Sequence, residues 1–228
     1  MVEVKDFNEV IKYFENKILT KFNKEIKSFK DFEIRCISTN VDYLLSLDID
    51  RDFKLKQLRT MYLNDDEISR VKKNLKDVDI VSTQYLFNQV GGKDISTHHK
   101  KGGCLTYINF DKVESYIIAT INFRASVAPY NLYYDLIMIN KLFKELGLRD
   151  DELEIRLHFD EIKGKLMQNF FYYISAGYYD NPNDFLNYDY GRMMVDQYNV
   201  SNLSNYKSIK RFYGKCNDAM ERRIKLNG

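Results

Sequence analysis

Apolar residues at helical spacing mark two segments of this 228-residue chain. Near the N-terminus they recur every three or four positions, which predicts an amphipathic helix over about residues 7–22. The same spacing returns after Pro129, where Gly147 is a suitable C-cap for a second helix. The charged stretch 50–81 is expected to be mostly helical or irregular, with Asn64 as the N-cap of one helix. The apolar residues at helical spacing are Phe7, Val10, Ile11, Phe14, Ile18 and Phe22 in the first segment and Leu132, Leu136, Ile139, Phe143 and Leu146 in the second.

Other segments alternate apolar and polar residues with a period of two, which is typical of strands. The clearest is 153–160, where the alternation places His158 and Asp160 on the face opposite the apolar side chains. Residues 104–110 and 116–124 are two further strand candidates. The short turn between them predicts a β-hairpin.

The order of these elements predicts one α+β domain, 1–228, with a mixed or antiparallel sheet covered by helices. Residues 31–47 look β-rich and contribute to a core at about 30–162. The segment 163–228 is expected to be helical. Its last helix, about 205–225, is basic; a solvated face is the favoured interpretation, and contact with phosphates is the alternative.

Charge and cysteine usage narrow the class of protein. The net charge is only +2, so nothing global indicates binding to nucleic acid or to an anionic membrane. Three separated cysteines, Cys36, Cys104 and Cys216, favour a reducing cytoplasm over a disulfide framework. With only three histidines, a zinc site is not expected. No apolar run has the length of a membrane span, and the charged N-terminus does not resemble a signal peptide. The abundance of Lys, Asn and Ile is typical of an AT-rich bacterial or phage genome.

The middle of the chain carries an ordered set of polar landmarks. Cys104 opens a strand, and Asn109-Phe110 follows five residues later. Arg124 closes the next strand, 20 residues beyond the cysteine (124 − 104 = 20). Ser126 and the triplet Pro129-Tyr130-Asn131 come next, ahead of a long helix. A later strand carries His158 and Asp160.

This order resembles that of thymidylate synthases and deoxycytidylate hydroxymethylases. The resemblance covers roughly residues 102–160 and implies a thymidylate synthase-like fold. It also implies transfer of a methyl or hydroxymethyl group to C5 of a pyrimidine deoxynucleotide, with a reduced folate, methylenetetrahydrofolate, as donor. Members of the family are commonly homodimers that pack sheet against sheet, so a homodimer is expected here.

The resemblance also implies a role for each landmark. Cys104 matches the nucleophile, and Arg124 matches the arginine that binds the nucleotide phosphate. Asn109 stands where the family has a Gln, and Asn131 matches the Asn that reads the pyrimidine edge. His158 matches a histidine that holds the sugar. The remaining candidate substrate-binding residues are Ser126, which substitutes for a family serine, and Asp160, which replaces a tyrosine.

The chemistry of these residue types agrees with such a reaction. A thiolate that adds to C6 of a pyrimidine makes C5 nucleophilic, so that it attacks a one-carbon electrophile. A guanidinium near Cys104 favours the thiolate and also binds phosphate with two parallel hydrogen bonds. The amides of Asn109 and Asn131 offer the donor and acceptor pair that matches a uracil or cytosine edge.

Several positions depart from the family pattern and leave a second hypothesis open. Ala125 and Val127 stand where the family has a serine and an aspartate, and Asp160 stands where it has a tyrosine. The chain is on this hypothesis a catalytically inactive nucleotide-binding or protein-interaction module with the same fold, of a kind found in phage genomes. Ordinary structural roles are also open: Cys104 as a small strand residue, Asn131 as a helix N-cap.

Overall fold

A computed structural model describes residues 1–18, 28–47, 62–87, 104–128 and 130–163, together with residues 55 and 59. The predicted loop at 88–103, the predicted helix at 205–225 and the rest of the C-terminal segment from residue 164 lie outside the described residues.

The described residues form a seven-stranded mixed sheet in the order β1-β2-β7-β5-β4-β3, with the short β6 also paired to β7. Strand β7 lies at the centre, antiparallel to β2 and parallel to β5. Strands β4 and β5 form the predicted antiparallel hairpin, and β3 pairs with the outer side of β4. The strands are β1 (Val2–Glu3), β2 (Ser28–Cys36), β3 (Ile80–Leu86), β4 (Leu105–Val113), β5 (Tyr116–Phe123), β6 (Ser126–Val127) and β7 (Leu153–Lys163).

Strand β6 continues β5 along β7 after a two-residue interruption. Ile117 pairs with Leu153 and Ser126 with Ile162, so both strands keep the same offset of 36 residues (153 − 117 = 162 − 126 = 36). The interruption contains Arg124, which therefore lies at an irregular point of the sheet beside its central strand.

Helices bury their apolar sides to form the core with one face of the sheet. The N-terminal helix α1 (Phe7–Tyr13) is capped by Asp6, whose carboxylate accepts from the amide of Glu9 at 3.0 Å, and continues as a π-helical turn, Phe14–Ile18. The long helix α4 (Tyr130–Leu146) is followed by Gly147, which adopts φ +80°. The remaining helices are α2 (Asp42–Ser46) and α3 (Asp65–Asp77).

Several sequence predictions are confirmed. Asn64 caps α3 by accepting from the amides of Asp66 and Glu67. The strand at 153–160 exists and extends to Lys163, with its apolar set buried and His158 and Asp160 on the other face. The class is α+β, with a mixed sheet and several helices.

Two segment predictions are wrong in part. Residues 31–47 are β-rich only as far as Cys36, because Asp42–Ser46 forms a helical turn in which Leu44 reaches the core. The described part of 50–81 is helical over Asp65–Asp77, in agreement with the prediction, and β3 begins at Ile80 near the end of that stretch. The predicted turn after residue 110 is shorter than expected, since β4 continues to Val113 and the reversal uses Glu114 at φ 57°.

Candidate functional site

The backbones of Cys104 and Arg124 meet at the end of the β4–β5 ladder. The last pair of the ladder is Leu105 with Phe123, and beyond it the amide of Arg124 donates to the carbonyl of Cys104 at 2.9 Å. Both core residues of that pair are fully buried. Cys104 is half-buried and Arg124 is exposed. The hairpin thus brings the predicted nucleophile and the predicted phosphate ligand to one end of the sheet.

Tyr62 contacts the same end of the hairpin and was not predicted. Its hydroxyl accepts a hydrogen bond from the amide of Cys104 at 2.9 Å, and its ring packs edge-on against Phe87 at 5.6 Å between centroids. Burial raises the pKa of Tyr62, and electrostatic interactions with Asp135 and Cys104 raise it further. A phenol, a thiol and the buried carboxylate of Asp135 therefore share one neighbourhood.

A second group of predicted residues lies on the sheet face opposite the helices. Asn109 pairs with Thr120, which pairs in turn with Arg156 of β7. His158 lies in the next row, beside Asn122. All of these side chains are half-buried. We call this side of the sheet the open face. Its residues include Arg35, Tyr107, Asn109, Tyr116, Thr120, Asn122, Glu154, Arg156, His158 and Asp160.

His158 and Asp160 are neighbours on the open face. The Nε2 of His158 lies 3.4 Å from a carboxylate oxygen of Asp160, and the Asp160 side chain is 61% exposed. The register of β5 with β7, in which Phe123 pairs with Phe159, brings Asp160 level with Arg124. His158 and Asp160, both predicted to bind substrate, therefore lie on the central strand near the end of the sheet that carries Cys104.

Ser126 differs from this group in its burial. Ser126 pairs with Ile162, and both residues are buried, whereas Asp160, two residues earlier on the same strand, is exposed. Its Oγ is buried and has no hydrogen-bond partner among the described residues. Asn131 is half-buried at the start of α4, one turn before Asp135. The seven predicted residues thus do not share one exposed surface, since Ser126 is buried while Arg124 and Asp160 are exposed.

A charged network on the open face was also missed. Glu154 has a side chain only 5% exposed and accepts from Arg35 at 2.7 Å and from Arg156 at 2.8 Å. The hydroxyl of Tyr116 donates to the same carboxylate at 3.0 Å. Burial raises the pKa of Glu154, but the hydrogen bonds from Arg156, Arg35 and Tyr116 together outweigh burial and hold that pKa below its usual value. The alternation of residues in β7 predicts that Glu154 lies on this face. It does not predict the contacts with Arg35 of β2 and Tyr116 of β5, which depend on the pairing of the strands.

The two described cysteines differ in environment. Cys36 is buried, and burial, with smaller effects from nearby acids, raises the pKa of its thiol strongly. Cys104 is the more accessible of the two. Within the described ranges, no group of three or more His, Cys, Asp or Glu side chains is arranged to hold a metal ion, and no helix is long and apolar enough to cross a membrane.

Comparison with known proteins leaves the family of this chain open. No protein-family model matches the chain, and a search of curated proteins finds no match.

Proposed function

We propose that the chain is a thymidylate synthase-like enzyme that modifies C5 of a pyrimidine deoxynucleotide through a thiolate adduct at C6, with Cys104 as the nucleophile. The observation that carries the proposal is the direct opposition of Cys104 and Arg124 across the end of the β4–β5 ladder. The sequence resemblance requires these two residues to be neighbours, although they lie 20 positions apart (124 − 104 = 20).

The accessibility of Cys104 is a second support. A nucleophilic thiol must be reachable by substrate and must ionise near neutral pH. Cys36 meets neither condition, because it is buried and its pKa is raised. Cys104 is half-buried, and Arg124 beside it is exposed, so that its guanidinium is accessible to a nucleotide phosphate.

The proposed chemistry begins at the sulfur. The Cys104 thiolate donates an electron pair to C6, the C5–C6 double bond opens, and C5 gains enolate character. C5 then forms a bond to a one-carbon electrophile and loses its proton to a base, after which elimination expels the thiolate and restores the double bond. His158 and Asp160 are proposed to bind the sugar, while Asn109 and Asn131 are proposed to read the base.

A reduced folate is the one-carbon donor that the resemblance implies. Val127 stands at the position of the family's aspartate, and its aliphatic side chain cannot form a hydrogen bond. The residues at that position therefore do not fit a folate in the manner of the family. The donor is therefore proposed only by chemical class, as a one-carbon electrophile that the activated C5 attacks.

The test is nucleotide binding and turnover by wild type and Cys104→Ala. We expect deoxyuridylate or deoxycytidylate to bind, and exchange of the C5 hydrogen with solvent to depend on Cys104, since that exchange needs only the adduct. Cys36→Ala is the matched control and retains exchange. Exchange that survives Cys104→Ala, or the absence of binding by any pyrimidine nucleotide, would refute the proposal.

The second candidate is a non-catalytic nucleotide-binding or interaction module. The surroundings of Cys104 favour it, because the buried carboxylate of Asp135 lies in the same neighbourhood and disfavours a further negative charge there. Reaction of Cys104 with iodoacetamide across pH 5–9 discriminates between the two. A thiolate stabilised by Arg124 reacts rapidly at pH 6, whereas an inert thiol reacts only in proportion to its ionisation at higher pH.

A homodimer is part of the same proposal. The open face presents half-buried polar side chains together with exposed apolar ones such as Tyr116 and Val113, and a second sheet packed on it would cover them. Sedimentation at several protein concentrations measures the mass, and a monomer throughout would argue against this assembly. The chain is proposed to act in a reducing cytoplasm, where Cys104 stays a thiol.

A further inference from the structure

Strand β3 is the last strand of the sheet on its side among the described residues. The amide of Phe87 donates to the carbonyl of Thr106, and the carbonyl of Asp79 accepts from Glu114, so odd-numbered residues direct their backbone groups toward β4. Even-numbered residues therefore direct theirs outward. Those residues are Ile80, Ser82, Gln84 and Leu86.

An ion pair on helix α3 occupies this outer edge. The guanidinium of Arg70 donates to the outward carbonyl of Gln84 and also to the hydroxyl of Thr83 at 3.3 Å. The same guanidinium contacts the carboxylate of Glu67 at 2.7 Å. Hydrogen bonds from Arg70 lower the pKa of Glu67, with a smaller contribution from the amide of Leu86. Arg70 thus donates to the outward carbonyl of Gln84, and Glu67 accepts from the outward amide of Leu86. A neighbouring strand would make the same kinds of contact.

The edge beneath this pair is self-complementary. If two copies of β3 pair antiparallel about Thr83, Ser82 lies opposite Gln84 of the other copy, and Ile80 lies opposite Leu86. Ile80 is 74% exposed and Leu86 is 50% exposed. This register therefore forms two contacts between exposed apolar side chains, one at each end of the paired strands. The Ser82 amide of each copy would then donate to the Gln84 carbonyl that Arg70 now occupies.

We propose that the outer edge of β3 is a docking surface for a second copy of this chain, and that the Glu67–Arg70 pair keeps it closed. Exposed edge strands with apolar side chains pair readily with other chains, and native proteins protect them with charged side chains or covering elements. Here one helix turn supplies the protection, because its two side chains occupy backbone groups that the next strand would need. Removal of the pair opens the edge and joins two sheets into one.

The test compares the masses of wild type, Arg70→Met and Glu67→Ala/Arg70→Met by sedimentation velocity over a hundredfold range of protein concentration. We expect both variants to form a species of twice the wild-type mass, with a self-association constant at least about tenfold above that of wild type, since a two-strand contact forms several backbone hydrogen bonds. Arg149→Met is the matched control, because Arg149 also pairs with an acid three residues away, Glu152, but not at a strand edge. It keeps the wild-type mass.

A rescue variant identifies the surface. Ser82→Pro removes an outward amide that β4 does not use, so Arg70→Met/Ser82→Pro should return to the wild-type mass while remaining folded by circular dichroism. Wild-type mass for Arg70→Met at every concentration would overturn the proposal, and so would association that persists with Ser82→Pro. If Arg70→Met does not fold, Arg70→Gln, which keeps a polar side chain at this exposed site, is measured under the same criteria.

Discussion

The carboxylate of Glu154 on β7 and the guanidinium of Arg35 on β2 are 2.7 Å apart across the centre of the sheet. Arg35 also contacts Glu3 of β1 at 2.9 Å, so one side chain links three successive strands. Because the Glu154 side chain is almost fully buried, this contact is exchanged for water less easily than a surface ion pair.

Loss of the Glu154 charge is expected to destabilise the fold. In Glu154→Gln the two guanidiniums lose their shared carboxylate, and we expect a loss of about 3 kcal/mol in the free energy of unfolding, the scale for breaking a buried ion pair. Urea unfolding followed by circular dichroism measures it. Glu152→Gln, in the more exposed pair with Arg149, is the control and should have a smaller effect. Equal losses in the two variants would contradict the special role of Glu154.

The carboxylate of Glu154 should also affect how the free energy of unfolding decreases at acidic pH. The pKa of Glu154 is lower in the folded state than its ordinary value of 4.5, so the unfolded chain binds more protons as the pH falls. The stabilisation is fully present above pH 4.5 and is lost as the pH falls through the folded-state pKa. Unfolding measured from pH 7 to pH 3 should therefore show a shallower loss of stability in Glu154→Gln than in wild type, and parallel curves would count against this assignment.

Tyr62 is expected to support the end of the hairpin. Tyr62→Phe leaves the amide of Cys104 without its acceptor, and we expect a loss of about 1–3 kcal/mol in unfolding free energy. Tyr107→Phe is a matched control on β4, because the Tyr107 hydroxyl has no hydrogen-bond partner among the described residues. Its expected effect is within about 0.5 kcal/mol. A Tyr62→Phe variant as stable as the control would show that water replaces the lost contact.

The two described thiols should react at very different rates in the native protein. In a Cys216→Ser background, we expect Cys36 to be alkylated at least about a hundredfold more slowly than Cys104, since Cys36 becomes reachable only when its strand opens. In urea above the unfolding midpoint the difference should disappear. Mass spectrometry of timed alkylation measures both rates, and comparable native rates would mean that Cys104 is not accessible.

The sequence predicted the elements whose pattern is strong and local. Residues of β7 alternate from Leu153 to Asp160, and α4 repeats apolar residues over four turns, so both were found close to their true bounds. Strand β3 was missed because its core-facing residues, Val81, Thr83 and Tyr85, alternate with the apolar but exposed Ile80 and Leu86. Apolar residues on both faces obscure the period of two that marks a half-buried strand.

The candidate site was predictable only as far as the hairpin. Cys104 and Arg124 follow from a local reversal between two recognisable strands, and the register fixes their opposition. Tyr62 and Asp135 were not predictable, because Tyr62 lies in a charged stretch and Asp135 is a polar residue inside an otherwise apolar helix, and their approach to Cys104 depends on long-range packing. The burial of Ser126 beside the exposed Arg124 depends on tertiary packing, which no sequence period encodes.

The position of β7 sets the order in which this sheet can be completed. It hydrogen-bonds with β2, β5 and β6, yet it is the last strand of the described chain to be synthesised. Until the ribosome has released residue 163, the nascent chain holds two unjoined parts, an N-terminal strand pair and a three-stranded β3–β4–β5 unit, each with a bare inner edge. A chain that ends before Leu153 therefore lacks β7, the strand that joins the two parts of the sheet. We expect the protein to reach its native structure only after β7 has been synthesised.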